Sequence, residues 1–163
     1  MKKDWSKFTK RITINATARS IYNAWAIPVE IEKWFLSSAV YTTADGEARV
    51  RTDRVKTGDR YTWRWHGFPG GAAESGRVIE ANGYNSFRFT FTDNGIVDVA
   101  ILPEKNEKLV QLTQKKIAPD EQLKVYLGCG EGWTFYLANL KSYLEGGIDL
   151  RNKNDKIRGV INS

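Results

Sequence analysis

The chain has little of the side chains that carry most metal and redox chemistry: its 163 residues include one cysteine, Cys129, and one histidine, His66. A lone cysteine excludes an internal disulfide and any thiolate cluster built within one chain. Zinc usually draws on several Cys and His ligands, and no such set is available. A nucleophile paired with histidine could use only His66, which strand alternation turns away from the aromatic side chains preceding it. No metal site, cofactor or catalytic set is therefore expected. Long apolar runs are missing as well. Nothing approaches the ~18 consecutive apolar residues of a membrane-spanning helix, which argues against stable membrane insertion. The opening Met1-Lys2-Lys3-Asp4-Trp5 is polar where a signal peptide would be apolar, so a cytoplasmic location is expected. Internal repeats, low-complexity tracts and interdomain linkers are absent.

Basic residues outnumber acidic ones by 25 to 19, a formal net charge of +6. They are dispersed. The densest stretches, 49–60 and 151–158, also contain Asp53, Asp59 and Asp155. Such spacing reads as a solubilising surface, and no nucleic-acid partner is expected. Gly128-Cys129-Gly130-Glu131-Gly132 has the composition of a phosphate loop, but it lies inside a helical stripe and does not join a strand to a helix. Its glycines are expected to let that helix bend or approach a sheet closely, with Cys129 as a small near-core side chain.

What the sequence has in quantity is aromatics: six Trp, seven Tyr and seven Phe. Rings of that size bury large areas, so the interior is either bulky or wrapped around a cavity. The length suits one domain, here residues 1–147, followed by a polar, basic tail, 148–163, expected to pack loosely. Phe8 to Ala16 alternates as a half-buried strand. Thr17 is placed to cap a helix bearing Ile21, Ala24 and Trp25 on one stripe. Pro28 ends that helix and opens a second, with Ile31, Trp34 and Phe35 on its apolar side. Between about 37 and 117 short alternating runs predict antiparallel strands at 60–66, 74–81, 86–92, 96–102 and 108–117, with one or two more between Ala39 and Val55. Asn82-Gly83 and Asn94-Gly95 predict tight hairpins, and Gly67-Phe68-Pro69-Gly70-Gly71 another reversal. The polar segment Ala44 to Asp59 is a lid or a longer hairpin. From Pro119 to Gly146-Gly147, apolar residues at three- and four-residue steps predict a helix about 40 Å long.

Tyr61, Trp63 and Trp65 share one face of their strand, and Phe87, Phe89 and Phe91 share one face of theirs. A face of rings must be covered, and the long last helix, with Trp133 on its stripe, is the available cover. Asp98 and Glu131, the carboxylates considered for acid–base work, are assigned to solvent by strand and helix periodicity.

In order and spacing the chain resembles the START-like (SRPBCC) superfamily, and within it the AHSA-type bacterial homologues of the activator of the heat-shock protein 90 ATPase. The resemblance is carried by Ile12 to Ala16 with Thr17 through Trp25, by Ile31-Glu32-Lys33-Trp34-Phe35, by Gly76-Arg77-Val78-Ile79-Glu80, and by Gly132-Trp133 through Gly146-Gly147. It implies an α+β helix-grip (Bet v 1-like) fold, a curved antiparallel sheet wrapped around a long C-terminal helix, with two short helices after the first strand. It also implies a cavity between sheet and helix that takes a lipid-like, polyketide-like or aromatic small molecule. Carried over by position, Trp34, Trp63, Trp65, Phe89, Phe91, Val99, Trp133, Tyr136 and Leu137 would line it, with Tyr61, Tyr136 and Arg51 as polar anchors. The alternative is that these rings fill a solid core. A binding module is favoured over an enzyme; a polyketide cyclase- or aromatase-like activity and a chaperone-cofactor role are the alternatives, and the assembly would be a monomer or homodimer.

Overall fold

The structure, a computed structural model, describes residues 4–68 and 72–161. Seven strands, β1 (Phe8–Ile14), β2 (Ser38–Thr42), β3 (Arg60–Arg64), β4 (Glu74–Ala81), β5 (Ser86–Phe91), β6 (Gly95–Glu104) and β7 (Glu107–Lys115), form one sheet. Its order is β1-β7-β6-β5-β4-β3-β2, antiparallel throughout. Strands β1 and β2 thus lie at opposite edges, and α1 (Ala18–Ala26) and α2 (Pro28–Ile31) carry the chain between them. Thr17 Oγ1 accepts the Ser20 amide at 3.0 Å, satisfying one orphan N–H of the first turn of α1. Pro28 opens α2, which lasts a single turn. Ile31, Trp34 and Phe35 are buried as expected, but Trp34 and Phe35 follow the helix in a turn.

The last helix, α3 (Gln122–Leu144), has 23 residues, about 35 Å at 1.5 Å per residue. It begins later than Pro119 suggested. Pro119 and Asp120 form a turn before it, because the fixed φ of proline suits a turn as well as a first helical position. Gly146, at φ +79°, ends the helix, and the Gly147 amide reaches back to Ser142 O at 2.7 Å, a left-handed termination that favours glycine.

The hairpin signals are only partly right. Asn82 heads a wider turn in which its Oδ1 accepts the amides of Tyr84, Asn85 and Ser86 at 2.9–3.0 Å. In the β5–β6 turn the positive φ values fall on Thr92 (+52°) and Asp93 (+59°), not on Asn94-Gly95. Gly95 is needed there because a Cβ would come within 2.3 Å of Phe91 O. Pro69, Gly70 and Gly71, of the reversal expected after β3, lie outside the described residues.

Alternation sorts the sheet. Tyr61, Trp63, Phe87, Phe89, Val97, Val99, Val110 and Leu112 are buried on the inner face. Arg88 and Lys115 grip Asp98 on the outer one. Trp25 fills the centre, with ring centroids 4.6 Å from Trp34, 6.1 Å from Trp133 and 6.4 Å from Phe89. The middle of the compartment between sheet and helix is therefore solid. The segment Ala44 to Asp59 begins as the expected hairpin, prolonging β2 through an antiparallel bridge between Thr42 and Ala48, with the Thr43 amide bonded to Glu47 O (2.7 Å) and the Arg49 amide to Tyr41 O (2.9 Å). Its remainder folds against α1 through Val55 N to Ala26 O (2.8 Å) and Arg54 to Asn23.

The start of the tail is not loose. Arg151 is 7% exposed, donates to the carbonyls of Leu36 (2.9 Å) and Glu32 (3.0 Å), and pairs with Asp149 at 2.8 Å. Buried Asn139 of α3 clasps the same segment, donating to Trp34 O and accepting from the Leu150 amide. Burial opposes the charge of Asp149, but bonds from Arg151 and Lys153 outweigh it and hold the carboxyl well below the usual range. A polar, basic composition concealed these contacts because Arg151 and Asn139 reach the backbone carbonyls of Glu32, Trp34 and Leu36, just after α2, which sequence periodicity does not report.

Candidate functional site

One end of the compartment is open. Where the N-terminal half of α3 passes the ends of β3, β4 and β5, a cleft of about 870 Å³ remains, within the usual range for small-molecule sites. Two features of the sequence produce it. Only from Gly130 onward does α3 carry buried residues, while Leu123 and Leu127 face solvent. Gly128 and Gly132 supply no side chains, and a Cβ at either would meet nothing within 4 Å. These glycines therefore widen a space rather than permit close packing, contrary to the sequence expectation. Gly130 alone faces a neighbour, with Lys10 Cε 3.8 Å from where its Cβ would lie.

The wall is aromatic. Phe35, Trp65, Phe91, Trp133 and Tyr136 line it, locked edge to face or stacked. Phe35 lies 5.0 Å from Trp133, 4.9 Å from Tyr136 and 5.5 Å from Trp65. Of the nine side chains expected at a cavity, Trp65, Phe91, Trp133 and Tyr136 are at this wall. Trp34, Trp63, Phe89, Val99 and Leu137 are in the packed core, each no more than 2% exposed. Among the expected anchors, Tyr136 lines the cleft, the pKa of its hydroxyl pushed up to about 12 by burial. Tyr61 instead donates to Thr90 O, and Arg51 is paired with Glu32 away from the cleft.

A polar chain runs along the floor. Trp133 Nε1 donates to Gln114 Oε1 at 2.9 Å, Gln114 Nε2 to Thr92 Oγ1 at 3.2 Å, and the Thr92 amide to Glu74 Oε1 at 2.8 Å. Gln114 is fully buried, so this pairing is what makes its presence in the core tolerable. The left-handed conformation of Thr92 lies at the junction with Glu74. Burial raises the Glu74 carboxyl above its ordinary range, the Thr92 amide opposes this, and Asp93 adds to it. Burial likewise pushes the Cys129 thiol up, which leaves it a poor nucleophile at neutral pH.

Sequence reasoning missed Glu74 and Gln114, though alternation contains both. Counting back from Val78 puts Gly76 and Glu74 on the inner face, and counting on from Val110 and Leu112 puts Gln114 there. The carboxylates that were singled out lie elsewhere: Asp98 on the outer face, and Glu131 exposed at the rim of the cleft. His66 is half-buried in the turn after β3, its pKa lowered by burial and by Arg151 and Lys153. Among the described residues no group of three or more His, Cys, Asp or Glu side chains could hold a metal ion, and no helix is long and apolar enough to cross a membrane.

Comparison with curated proteins returns no match. Solved structures share the architecture. Protein SSP2350 from Staphylococcus saprophyticus superposes with a TM-score of 0.71 at 20% identity, over 89% of this chain and 96% of that one. The Aha1 dimer from Colwellia psychrerythraea gives 0.67 at 16% identity, over 86% and 97%. CalU16 from Micromonospora echinospora gives 0.61 at 15% identity, over 88% and 77%. These likenesses establish the helix-grip fold. The family model described as "Activator of Hsp90 ATPase homolog 1-like protein" matches residues 15–145, most of the domain from the end of β1 to the end of α3, and the chain belongs to that family.

Proposed function

We propose that this protein binds an apolar small molecule in the cleft between the N-terminal half of α3 and the ends of β3 to β5. The observation that carries the reading is a space of about 870 Å³ walled by rings whose positions are fixed by one another and by a solid core behind them. A wall of that kind is organised before a ligand arrives, so little ordering cost falls on binding. The binding groups are Trp65, Phe91, Trp133 and Tyr136, with Phe35 behind them; the remaining expected residues act by holding these in place. Val160 and Ile161 of the tail close part of the same cleft.

The test is titration with Nile red, a neutral solvent-sensitive dye. The expected result is saturable one-to-one binding with a blue-shifted emission, abolished by Gly132→Trp in a variant that keeps its circular dichroism spectrum. Absence of saturable emission change, or undiminished binding by Gly132→Trp, would refute the reading.

A further inference from the structure

The cleft differs in charge from the protein around it. The chain carries a net charge of +6, yet no Lys or Arg is among the described residues lining the cleft, and two carboxylates are, Glu74 on the wall and Glu131 at the rim. Glu74 uses Oε1 to accept the Thr92 amide, and no bond to its Oε2 occurs among the described residues. Trp65, Phe91 and Trp133 line the same cleft, and the π-electron quadrupole of an aromatic ring attracts positive charge. A carboxylate in such a setting has lost part of its hydration, and no cationic side chain among the described residues pairs with it.

We infer that the cleft selects organic cations, that is, an apolar or aromatic molecule bearing a protonated or quaternary amine, with Glu74 as the counter-charge and the aromatic wall as the cation–π surface. A carboxylic acid such as a fatty acid is the disfavoured class, since its anion would face Glu74 and Glu131 with no Lys or Arg among the described lining residues to meet it. The inference rests on the proposed binding role and specifies the ligand chemistry of the same site. The surplus of Lys and Arg is on other surfaces, notably the outer sheet face with Arg60, Arg64, Arg88 and Lys115.

Isothermal titration calorimetry at pH 7 with three probes of one shape tests it: 1-naphthylmethylamine (cation), 1-naphthalenemethanol (neutral) and 1-naphthoate (anion). The expected order is cation, then neutral, then anion, with at least tenfold between cation and anion. Glu74→Gln keeps an acceptor for the Thr92 amide and should remove most of that ratio. Glu131→Gln, at an exposed position of α3, should reduce the ratio by a smaller factor. If the neutral probe binds and the cation has no advantage, or if Glu74→Gln leaves the ratio intact, the charge preference is refuted while the container stands. If none of the three binds, the container itself is refuted.

Discussion

Replacing Gly132 by leucine should make the protein more stable and a poorer binder, an opposition that few core or surface substitutions would produce. Gly132 lies inside α3, and a Cβ there meets nothing within 4 Å. Exchanging an interior helical glycine for a good helix former stabilises by about 0.8 kcal/mol. Partial burial of the leucine against the aromatic wall adds roughly 1 kcal/mol. The sum, about 2 kcal/mol, corresponds to a rise in Tm of about 4–8 °C for a domain of this size. Differential scanning calorimetry measures the rise, and Nile red titration should show a loss of affinity of about tenfold, or ~1.4 kcal/mol. A fall in Tm would mean that the space beside Gly132 is filled in solution, and a rise with unchanged affinity would mean that the dye binds elsewhere; either refutes the reasoning.

Two further perturbations follow from the charges. Burial raises the pKa of folded Glu74, so its contribution to stability is full below the ordinary carboxylate pKa of about 4.3 and is lost as pH rises through the folded value. Glu74→Gln, neutral throughout, should therefore be more stable than the parent in urea at pH 7, with the gap closing by about pH 4. Asp149→Asn leaves Arg151, whose side chain is 1% exposed, without its counter-charge, and should destabilise by roughly 2–4 kcal/mol in denaturant titration.

The sequence was most informative where one periodicity governed a whole element. The alternation of Tyr61-Trp63 and Phe87-Phe89 identified the inner face, and the Thr17 cap and the Gly146 stop were visible from residue type alone. It was least informative where a position answers to tertiary contacts. The β6–β7 hairpin turns at Lys105-Asn106 with Lys105 at φ +51° and no glycine, because nine consecutive register pairs between those strands hold it there. Gly128 and Gly132 looked like packing glycines, yet whether a missing side chain admits a neighbour or leaves a gap is decided by what lies opposite. The division between core rings and wall rings was illegible for the same reason: Trp63 and Trp65 share a parity, and only the end of β3 at Arg64 separates them. Arg151 was hidden among tail residues of its own kind.

The most direct measurement is a ¹H–¹⁵N NMR titration with 1-naphthalenemethanol, following backbone amides and the six indole N–H signals together. Binding as described predicts saturating shifts at Thr92, Gly128, Cys129 and Gly132 and at the indoles of Trp65 and Trp133, with the Trp34 indole, bonded to Ala24 O inside the core, far less affected. Shifts confined to the outer face of the sheet, or none at saturating probe, would contradict it.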